Sequence, residues 1–582
     1  MSLYQPLNQT DWRHGFGFHW HTDAAGYQET VGNIDARHSG IVTLFTAKSA
    51  RKSATQALHG GFTHTHAPGY FLCWSGATSG VVQKFTIQSG AWSAVSALDD
   101  PTNFCWTNGT YTFSCPNGAR IKKSNAADLE TWSDAGVNEY ATDYKWLVGH
   151  DGFVYAGKDD TNQVYYGAAV DLSDLHGRPE DDPAVIYVGP TGRTVLGAVS
   201  FIGDLFFFRY DGIFKMDKDR SAARRVLDYS DQVHLDNFRS VTVYNGSLYF
   251  PIRNQLWQWN GTRTAIVTPP TLTDTFPYVS YSKFDNLTVI GNFLFLTAKT
   301  SDANNFYDLL CFDGVGWQKL ARLTTTNGDS IGSMRWLAGG TVNDWLWFNH
   351  YSLTAEVAGV YYFPLRLQDE YPYASLPTSG QHSIISSKID AGFRRIQKSS
   401  PSVLIEASSL SAGHQYLKIY YRLNNATAWT AWGGTDGTTN IISANGVTEL
   451  VNPIAAGTIE YYWMQFRVDL VTDSATVSPV LEGITLRLLM RPDTDYGYSF
   501  DIIAEQDYEY GLQMVQRDPK DMITDLRAAR DSKAPIAFVD PFGDSHRCYL
   551  TSVNELATEW MPDGVGPSEK ISHRITVNLI AV

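Results

Sequence analysis

Between Pro68 and Asn349 one pattern of polar and apolar positions recurs seven times: a short turn, usually of Gly, Asn or Asp, runs into an aromatic-rich apolar stretch. It reads PGYFLCW from Pro68, NGTYTFS from Asn108, DGFVYAG from Asp151 and GDLFFFR from Gly203. It continues as NGSLYFP from Asn245, GNFLFLT from Gly291 and NDWLWFN from Asn343. The turn residues tolerate the positive φ of two-residue hairpin loops, so each motif predicts a hairpin whose second strand is the apolar run. An apolar stretch precedes most of them, as in KWLVGH before Asp151 and SVTVY before Asn245. A third strand follows each, from QKFTI at Gln83 through ARIK at Ala119 to GVYYF at Gly359, and several units add a fourth holding Trp92, Trp132 or Trp317. Three or four antiparallel strands every 40 to 52 residues are the blade of a β-propeller. Near-continuous apolar runs suit inner strands covered on both faces by neighbouring blades.

The period is absent from the rest of the chain. Residues 1–60 precede the first repeat, and SGIVTLFTAK from Ser39 is the strand expected to close the ring with the last blade. Gln368 to Gly380 reads as a linker. From Ser383 to about Met490 the strands alternate: SVLIEAS from Ser402, YLKIYYRL from Tyr416, YYWMQFRVDL from Tyr461 and GITLRLLM from Gly483. Such a run predicts a β-sandwich. In the last segment YSFDIIAE leads into DPKDMITDLRAARDS, a helix with Asp518 as N-cap, Pro519 at its first position and Met522, Leu526 and Ala529 on one face. PIAFVD, HRCYLTSV and ISHRITVNLI follow, the last alternating through Ile571, Ile575, Val577 and Leu579. The predicted fold class is therefore mainly β: a seven-bladed β-propeller over 61–367, a β-sandwich over 381–492 and a small α+β module over 495–582, with 1–60 closing the propeller.

Composition narrows the function classes. Glycine (48), Tyr (32), Phe (29) and Trp (17) are abundant while charged residues make up only 18% of the chain, as expected for short strands rather than helices. A net charge of −15 with no basic block disfavours nucleic acid as the primary partner. No apolar run is long enough for a membrane helix, so no membrane insertion is expected. MSLYQPLNQTDWRHGFG lacks the basic start and apolar stretch of a signal peptide. The five cysteines, Cys73, Cys105, Cys115, Cys311 and Cys548, are odd in number and irregular in spacing, so they read as small buried hydrophobes; Cys105 and Cys115 flank a predicted hairpin and could approach each other.

Candidate chemistry is sparse. His19 and His21 flank Trp20, and His64 and His66 flank Thr65; histidines two apart on a strand share a face and can share a metal, but no third ligand follows by spacing. SNAADLETWSD from Ser124 resembles the Asp-box turn of sialidases, with Asp128 and Trp132 in place but Glu130 where the box has glycine. Asp99–Asp100, Asp159–Asp160 and Glu180–Asp181–Asp182 could supply two carboxylates for glycoside cleavage, although loop carboxylates are ordinarily just solvated. No phosphate-binding loop, nucleophile elbow, zinc-protease or EF-hand motif occurs, and DPFGDSH near Asp540 reads as a turn. No catalytic, cofactor-binding or metal residue is assigned, no cofactor is expected and the chain is not expected to be an enzyme.

LRAARDSKAP, FVDPFGD and the terminal RITVNLI, in the order strand, helix, strand, strand, resemble modules of bacteriophage tail proteins that form rings around the tail tube or at its tip. YWMQFRVDLVTDSATVSPVLEGITL and the opening DWRHGFGFHWHTDAAGYQETVGNIDARHSG are similar to phrases in virion proteins of that kind. The resemblance implies a virion tail structural protein of tail-tip, baseplate or tail-ring type, assembled in the host cytoplasm. Its expected partners are copies of itself in a ring of six or three and other tail proteins. The alternative is a glycan-binding adhesin or polysaccharide depolymerase at the host surface, with a host surface glycan as partner.

Overall fold

The computed structural model describes residues 4–9, 15–16, 27–31, 33–37, 42–45, 49–54, 61–74, 82–88, 91–98, 101–135, 142–159, 161–175, 184–269, 281–301, 305–324, 329–337, 344–352, 357–365, 376–391, 396–424, 426–451, 459–491, 497–505, 507–510, 513–516, 519–539, 545–562 and 569–581. Within 61–365 the described strands form successive antiparallel meanders in chain order. The apolar runs of the seven sequence motifs are the second strands of these meanders: Tyr70–Trp74, Thr112–Pro116, Phe153–Lys158, Asp204–Arg209, Ser247–Ile252, Phe293–Thr300 and Asp344–Ser352. They are buried almost end to end, Ser247–Ile252 at every residue, because both faces of each sheet are covered. The turns before them behave as their composition demands. Asp151 and Gly152 have φ of 49° and 75°, and Asn245 and Gly246 have 44° and 70°, the paired positive values of a type I′ hairpin. Others differ from the prediction: the fourth is made by Ile202 and Gly203, at φ 50° and 77°, with Asp204 already in the strand; the second is a four-residue loop between paired Thr107 and Thr112; and in the seventh Asp344 is already in the strand. The third strand of the second meander is Lys122–Ser124 rather than ARIK, and Arg120 bridges instead to Thr142, just before the third meander.

A chain of hydrophobic clusters joins the meanders, each drawn from two consecutive ones, and the third and fourth are also joined by parallel pairing of their outer strands, Val185–Val188 with Ala222–Asp228. Leu72 and Trp74 of the first meet Cys105 and Leu129 of the second. Phe113 and Ile121 meet Tyr144 and Val154 of the third, and Trp146 and Val164 meet Phe207 and Phe214 of the fourth. Phe208 packs on Leu248 and Phe250 of the fifth, Tyr249 and Leu256 on Leu294 and Leu310 of the sixth, and Phe295 and Leu309 on Leu346 and Phe348 of the seventh. The last cluster returns to the start, with Trp347 and Val360 against Phe71, Cys73 and Phe85. Trp347 is fully buried, its ring 5.0 Å from Phe85, 5.7 Å from Trp92 and 5.1 Å from Tyr362, centroid to centroid. The first strands of the meanders lie nearest the middle, and Ser330–Leu337 of the seventh lies beside Gly61–His64 of the first. The chain is thus a mainly β protein with a propeller-like arrangement of sheets.

The strand that completes the seventh meander is Ser49–Ala54, which pairs antiparallel with Val357–Leu365. This corrects the expectation that the apolar stretch from Ser39 does so. Val42, Thr43 and Leu44 of that stretch are buried elsewhere: Thr43–Leu44 pairs with Ile34–Asp35, and Val42 bridges to Leu481. Most of the described part of residues 1–60 belongs with the C-terminal strands. Tyr4–Gln9 pairs with Val480–Arg491, and Tyr27–Val31 with Ser383–Ser386.

Beyond residue 376 two sheets share one core. In one, Val480–Arg491 lies between Tyr4–Gln9 and Gln397–Ser408, which also pairs with Gly446–Val451. In the other, Ser383–Ser386, Met464–Val471 and Tyr416–Leu423 run side by side. Val403, Ile405, Ile484 and Leu486 from the first meet Ile384, Leu417, Ile419, Phe466 and Val468 from the second. The second sheet is continuous with the meanders, because Gly15–Phe16 bridges Tyr27–Val31 to Trp317–Arg322. Near that junction Arg37 and Asp35 form a buried two-pronged pair (Nε–Oδ1 2.8 Å, Nη2–Oδ2 2.6 Å), with the guanidinium over the rings of Phe45, Phe293 and Phe295.

The last described unit has its own core. Gly497–Glu505, Glu569–Ala581, Ser545–Pro562 and Ile536–Val539 form an antiparallel sheet in that spatial order. The helix Pro519–Ser532 lays Met522, Ile523, Leu526 and Ala529 on a cluster of Cys548, Leu550, Val553, Ile575, Val577 and Leu579. The proposed cap Asp518, the turn at Asp540 and Gln368–Ala374 of the linker lie outside the described residues. Among the described residues no helix is long and apolar enough to cross a membrane. Cys105 faces Leu72 and Trp74 while Cys115 faces the third meander, so these two lie on opposite faces of the second sheet; all five cysteines are free and buried.

Two expected outcomes follow from this packing. Trp347→Ala removes the ring at the closing interface and should cost about 3–5 kcal/mol, read as a lower denaturant midpoint. His382 ties the N-terminal segment to the paired sheets: its Nδ1 accepts the Asn33 N–H (3.0 Å) and its Nε2–H donates to the Ser379 carbonyl (2.9 Å). Burial holds its pKa below the usual 6.5, so the neutral ring is the folded form. Its contribution is complete above about pH 6.5 and is lost as pH falls through the folded value. A melting-temperature profile should decline there in the native chain, and His382→Gln should flatten that part of it.

Candidate functional site

The innermost strands are stitched to one another by polar groups. His64 Nε2–H donates to the Trp336 carbonyl (3.1 Å), and Lys145 Nζ donates to Asn103 Oδ1 (3.0 Å). His150 Nδ1 meets Ser200 Oγ at 2.9 Å. The Leu287 N–H donates to Ser240 Oγ (2.8 Å), and Thr288 Oγ1 donates to the Met334 carbonyl (3.3 Å). First strands have no inner neighbour in their own sheet, and the bonds to Trp336, Leu287 and Met334 satisfy backbone groups that a sheet interior would pair through the ladder.

Two cavities open along this wall. One of about 510 Å³ lies among the first strands of the fifth, sixth and seventh meanders, the other, of about 280 Å³, among those of the first, second and seventh. Arg335 lines both. In the larger cavity the other cations are held: Arg239 lies 3.4 Å and Lys283 3.8 Å from Asp236, and Lys283 also pairs with Asp285. Burial pushes the Asp285 carboxyl up and the Lys283 ammonium pulls it back. Arg335 has no ion-pair or hydrogen-bond partner among the described residues. It is open to water yet has protein on most sides, as in a channel wall, and that surrounding lowers its pKa. His64 is also held below its usual value, first by burial and further by the Arg335 charge. The smaller cavity adds the rings of Phe104 and Trp106.

The candidates raised by sequence patterns do not converge here. His64 and His66 turn to different neighbours, His64 to Trp336 and His66 through Nδ1 to Thr112 Oγ1 (2.8 Å), so they do not present two nitrogens to one metal. Among the described residues no group of three or more His, Cys, Asp or Glu could hold a metal ion. Asp128 is an exposed turn residue whose Oδ1 accepts the Glu130 N–H (3.1 Å), while Glu130 and the Asp128 carbonyl receive the buried Lys84 ammonium. Trp132 donates its Nε1–H to the Leu129 carbonyl (2.7 Å) and packs on the core between the first two meanders. Asp159 pairs with Lys145 (3.1 Å). His19, His21, Asp99, Asp100, Asp160 and Glu180–Asp182 lie outside the described residues. Arg335, Ser333 and Thr288 carry no motif; the one available signal was an arginine between Met334 and Trp336 in the strand before NDWLWFN.

The sequence matches no family model and no curated protein. Among solved structures the chain is similar to YCF48 bound to D1 peptide, at 9% identity over 58% of this chain and 100% of that one, with a TM-score of 0.37. It is also similar to the RRP9 WD40 repeats, at 10% identity over 56% and 100% with a TM-score of 0.39. The Cps50 (Swd1) β-propeller domain of Myceliophteria thermophila gives 9% over 54% and 99%, with a TM-score of 0.36. The architecture stands on the sheet order and shared cores described above.

The turn at Asp128 yields a ranking. Asp128→Ala should change stability by no more than about 0.5 kcal/mol, because an exposed turn cap is all that is lost. Trp132→Ala should cost about 2 kcal/mol by uncovering apolar area. Thermal melts of the two variants, with assays for sugar release from sialosides, check this; loss of turnover on Asp128→Ala at an unchanged melting temperature would reverse it.

Proposed function

We propose that this chain is a structural protein of a bacteriophage tail. In this reading the meanders of 61–367 are the blades of a seven-bladed β-propeller completed by Ser49–Ala54. Residues 381–492, with the N-terminal strands, form a β-sandwich, and 495–582 is an α+β docking module. The observation that carries the reading is the build of the C-terminal unit, joined to the resemblance of its sequence to tail-ring modules. It has a separate core, so it can dock as a body. Its two outer strands, Gly497–Glu505 and Ile536–Val539, each pair on one side only among the described residues. Its central hairpin outruns both, with Trp560 opposite Ile571 and Pro562 opposite Glu569 beyond the end of the Glu505–Ser572 pairing.

Sheet edges with free N–H and C=O groups are templates for strands of another chain. A head-to-tail contact of this kind closes into a ring when the rotation between copies divides a full turn. The expected partners are therefore copies of the same chain, in six or three, and other tail proteins, with the propeller as scaffold or interaction surface in the virion. A glycan-binding adhesin is the second reading, favoured by the aromatic wall beside Arg335.

Removal of residues 495–582 should leave a soluble, folded remainder that no longer enters the particle, scored by circular dichroism and by the protein content of purified virions. A truncated chain that still incorporates normally places the docking surface elsewhere and overturns this reading.

A further inference from the structure

We propose that the central channel of the meander ring holds a carboxylate-bearing sugar, with the Arg335 guanidinium as the anion partner and the Phe104–Trp106 wall as the face on which the sugar ring rests. This goes beyond the tail assignment and does not depend on it, since the site lies within one copy of the chain.

Three observations converge. The first is charge. The chain carries −15 overall, yet three cations and one carboxylate line the larger cavity. Arg239 and Lys283 are engaged by Asp236 and Asp285, which leaves Arg335 as an uncompensated guanidinium facing both cavities. Arginine presents a planar fork that a carboxylate fills with two parallel hydrogen bonds, and a cation held against protein on most sides gains more from that pairing than one in open water.

The second is an unmet hydroxyl. Ser333, two residues before Arg335 on the same strand, is among the residues lining the larger cavity, and its buried Oγ has no hydrogen-bond partner among the described residues. Buried polar atoms are ordinarily satisfied, so this one leaves the strand that carries Arg335 short of a partner among the described residues. Thr63 adds a hydroxyl-bearing side chain on the other side of Arg335. Such a lining suits a polyhydroxylated ligand better than an apolar one.

The third is shape. Arg335 is common to a polar cavity of about 510 Å³ and a smaller one with aromatic rings, so one molecule can place an anionic group at the arginine and a C–H face on the rings. Anionic side chains of a protein partner share the carboxylate but lack the ring hydroxyls, so a sugar is the better match.

The test uses the full-length chain and sodium D-glucuronate as probe, with D-glucose, sodium acetate and a triglutamate peptide as comparisons, by calorimetry. Glucuronate should bind with a dissociation constant of about a millimolar, and glucose and acetate at least about tenfold more weakly. Arg335→Met should weaken glucuronate by about tenfold or more, and Arg335→Lys, which keeps the charge but not the fork, should fall between. A readout on the native chain places the ligand without a substitution. His64 lines the same cavity as Arg335, so its ring-proton resonances should shift on saturation with glucuronate. The proposal is overturned if glucuronate does not bind at about 50 mM, if Arg335→Met binds it as well as the native chain, or if His64 does not respond. Acetate binding as tightly as glucuronate, or triglutamate binding more tightly, overturns the sugar assignment.

Discussion

Everything else in the meander region rests on closing the ring. A series of sheets, each packed on the next, ends in two faces that would remain open, and here those faces meet. Trp347 and Val360 pack on Phe71, Cys73 and Phe85, joining the last sheet to the first by apolar burial. The last sheet in turn receives its outer strand from Ser49–Ala54, so the two ends of the region are joined by backbone hydrogen bonds as well. The two joints are complementary. Burial of aromatic area gives most of the energy, while the backbone ladder fixes register, since a one-residue slip would exchange the two faces of the strand.

Closure also brings first strands of the first, second and seventh meanders around one cavity. First strands of neighbouring meanders lie side by side, as at Ser330–Leu337 and Gly61–His64, and polar groups tie them together, from His64 on Trp336 to Thr288 on Met334. Among the described residues Arg335 has no such pairing, and there the wall has spare bonding capacity. The same ring therefore supplies rigidity through its apolar interfaces and recognition chemistry through its polar axis.

The N-terminal segment binds the two large parts into one structure. Tyr4–Gln9 and Tyr27–Val31 complete the paired sheets, Gly15–Phe16 touches the sixth meander, and Ser49–Ala54 completes the seventh. The Arg37–Asp35 pair is buried near this junction under three phenylalanine rings, where loss of either partner would leave an uncompensated charge. His382 adds a pH-dependent tie at the same segment through Asn33. The C-terminal unit is different in kind, since its helix and sheet are satisfied within one short stretch of sequence.

The sequence by itself determined what is local. Turn chemistry and continuous apolar runs located the second strands of the meanders, because a strand buried on both faces must be apolar throughout and a two-residue hairpin must carry residues that accept positive φ. Met522, Leu526 and Ala529 were legible as one helix face for the same reason, since their contacts are set by a fixed rise and turn. The partners of strands were decided only by the tertiary structure. Nothing in SARKSA marks it as an outer strand to Val357–Leu365, and the more apolar stretch from Ser39 was drawn instead to Leu481. Pairing energy comes from backbone groups that every residue possesses, so it leaves little trace in side-chain pattern. The candidate site was hidden for a related reason. Arg335 and Trp106 are far apart in the chain, and only ring closure brings their strands to the same axis.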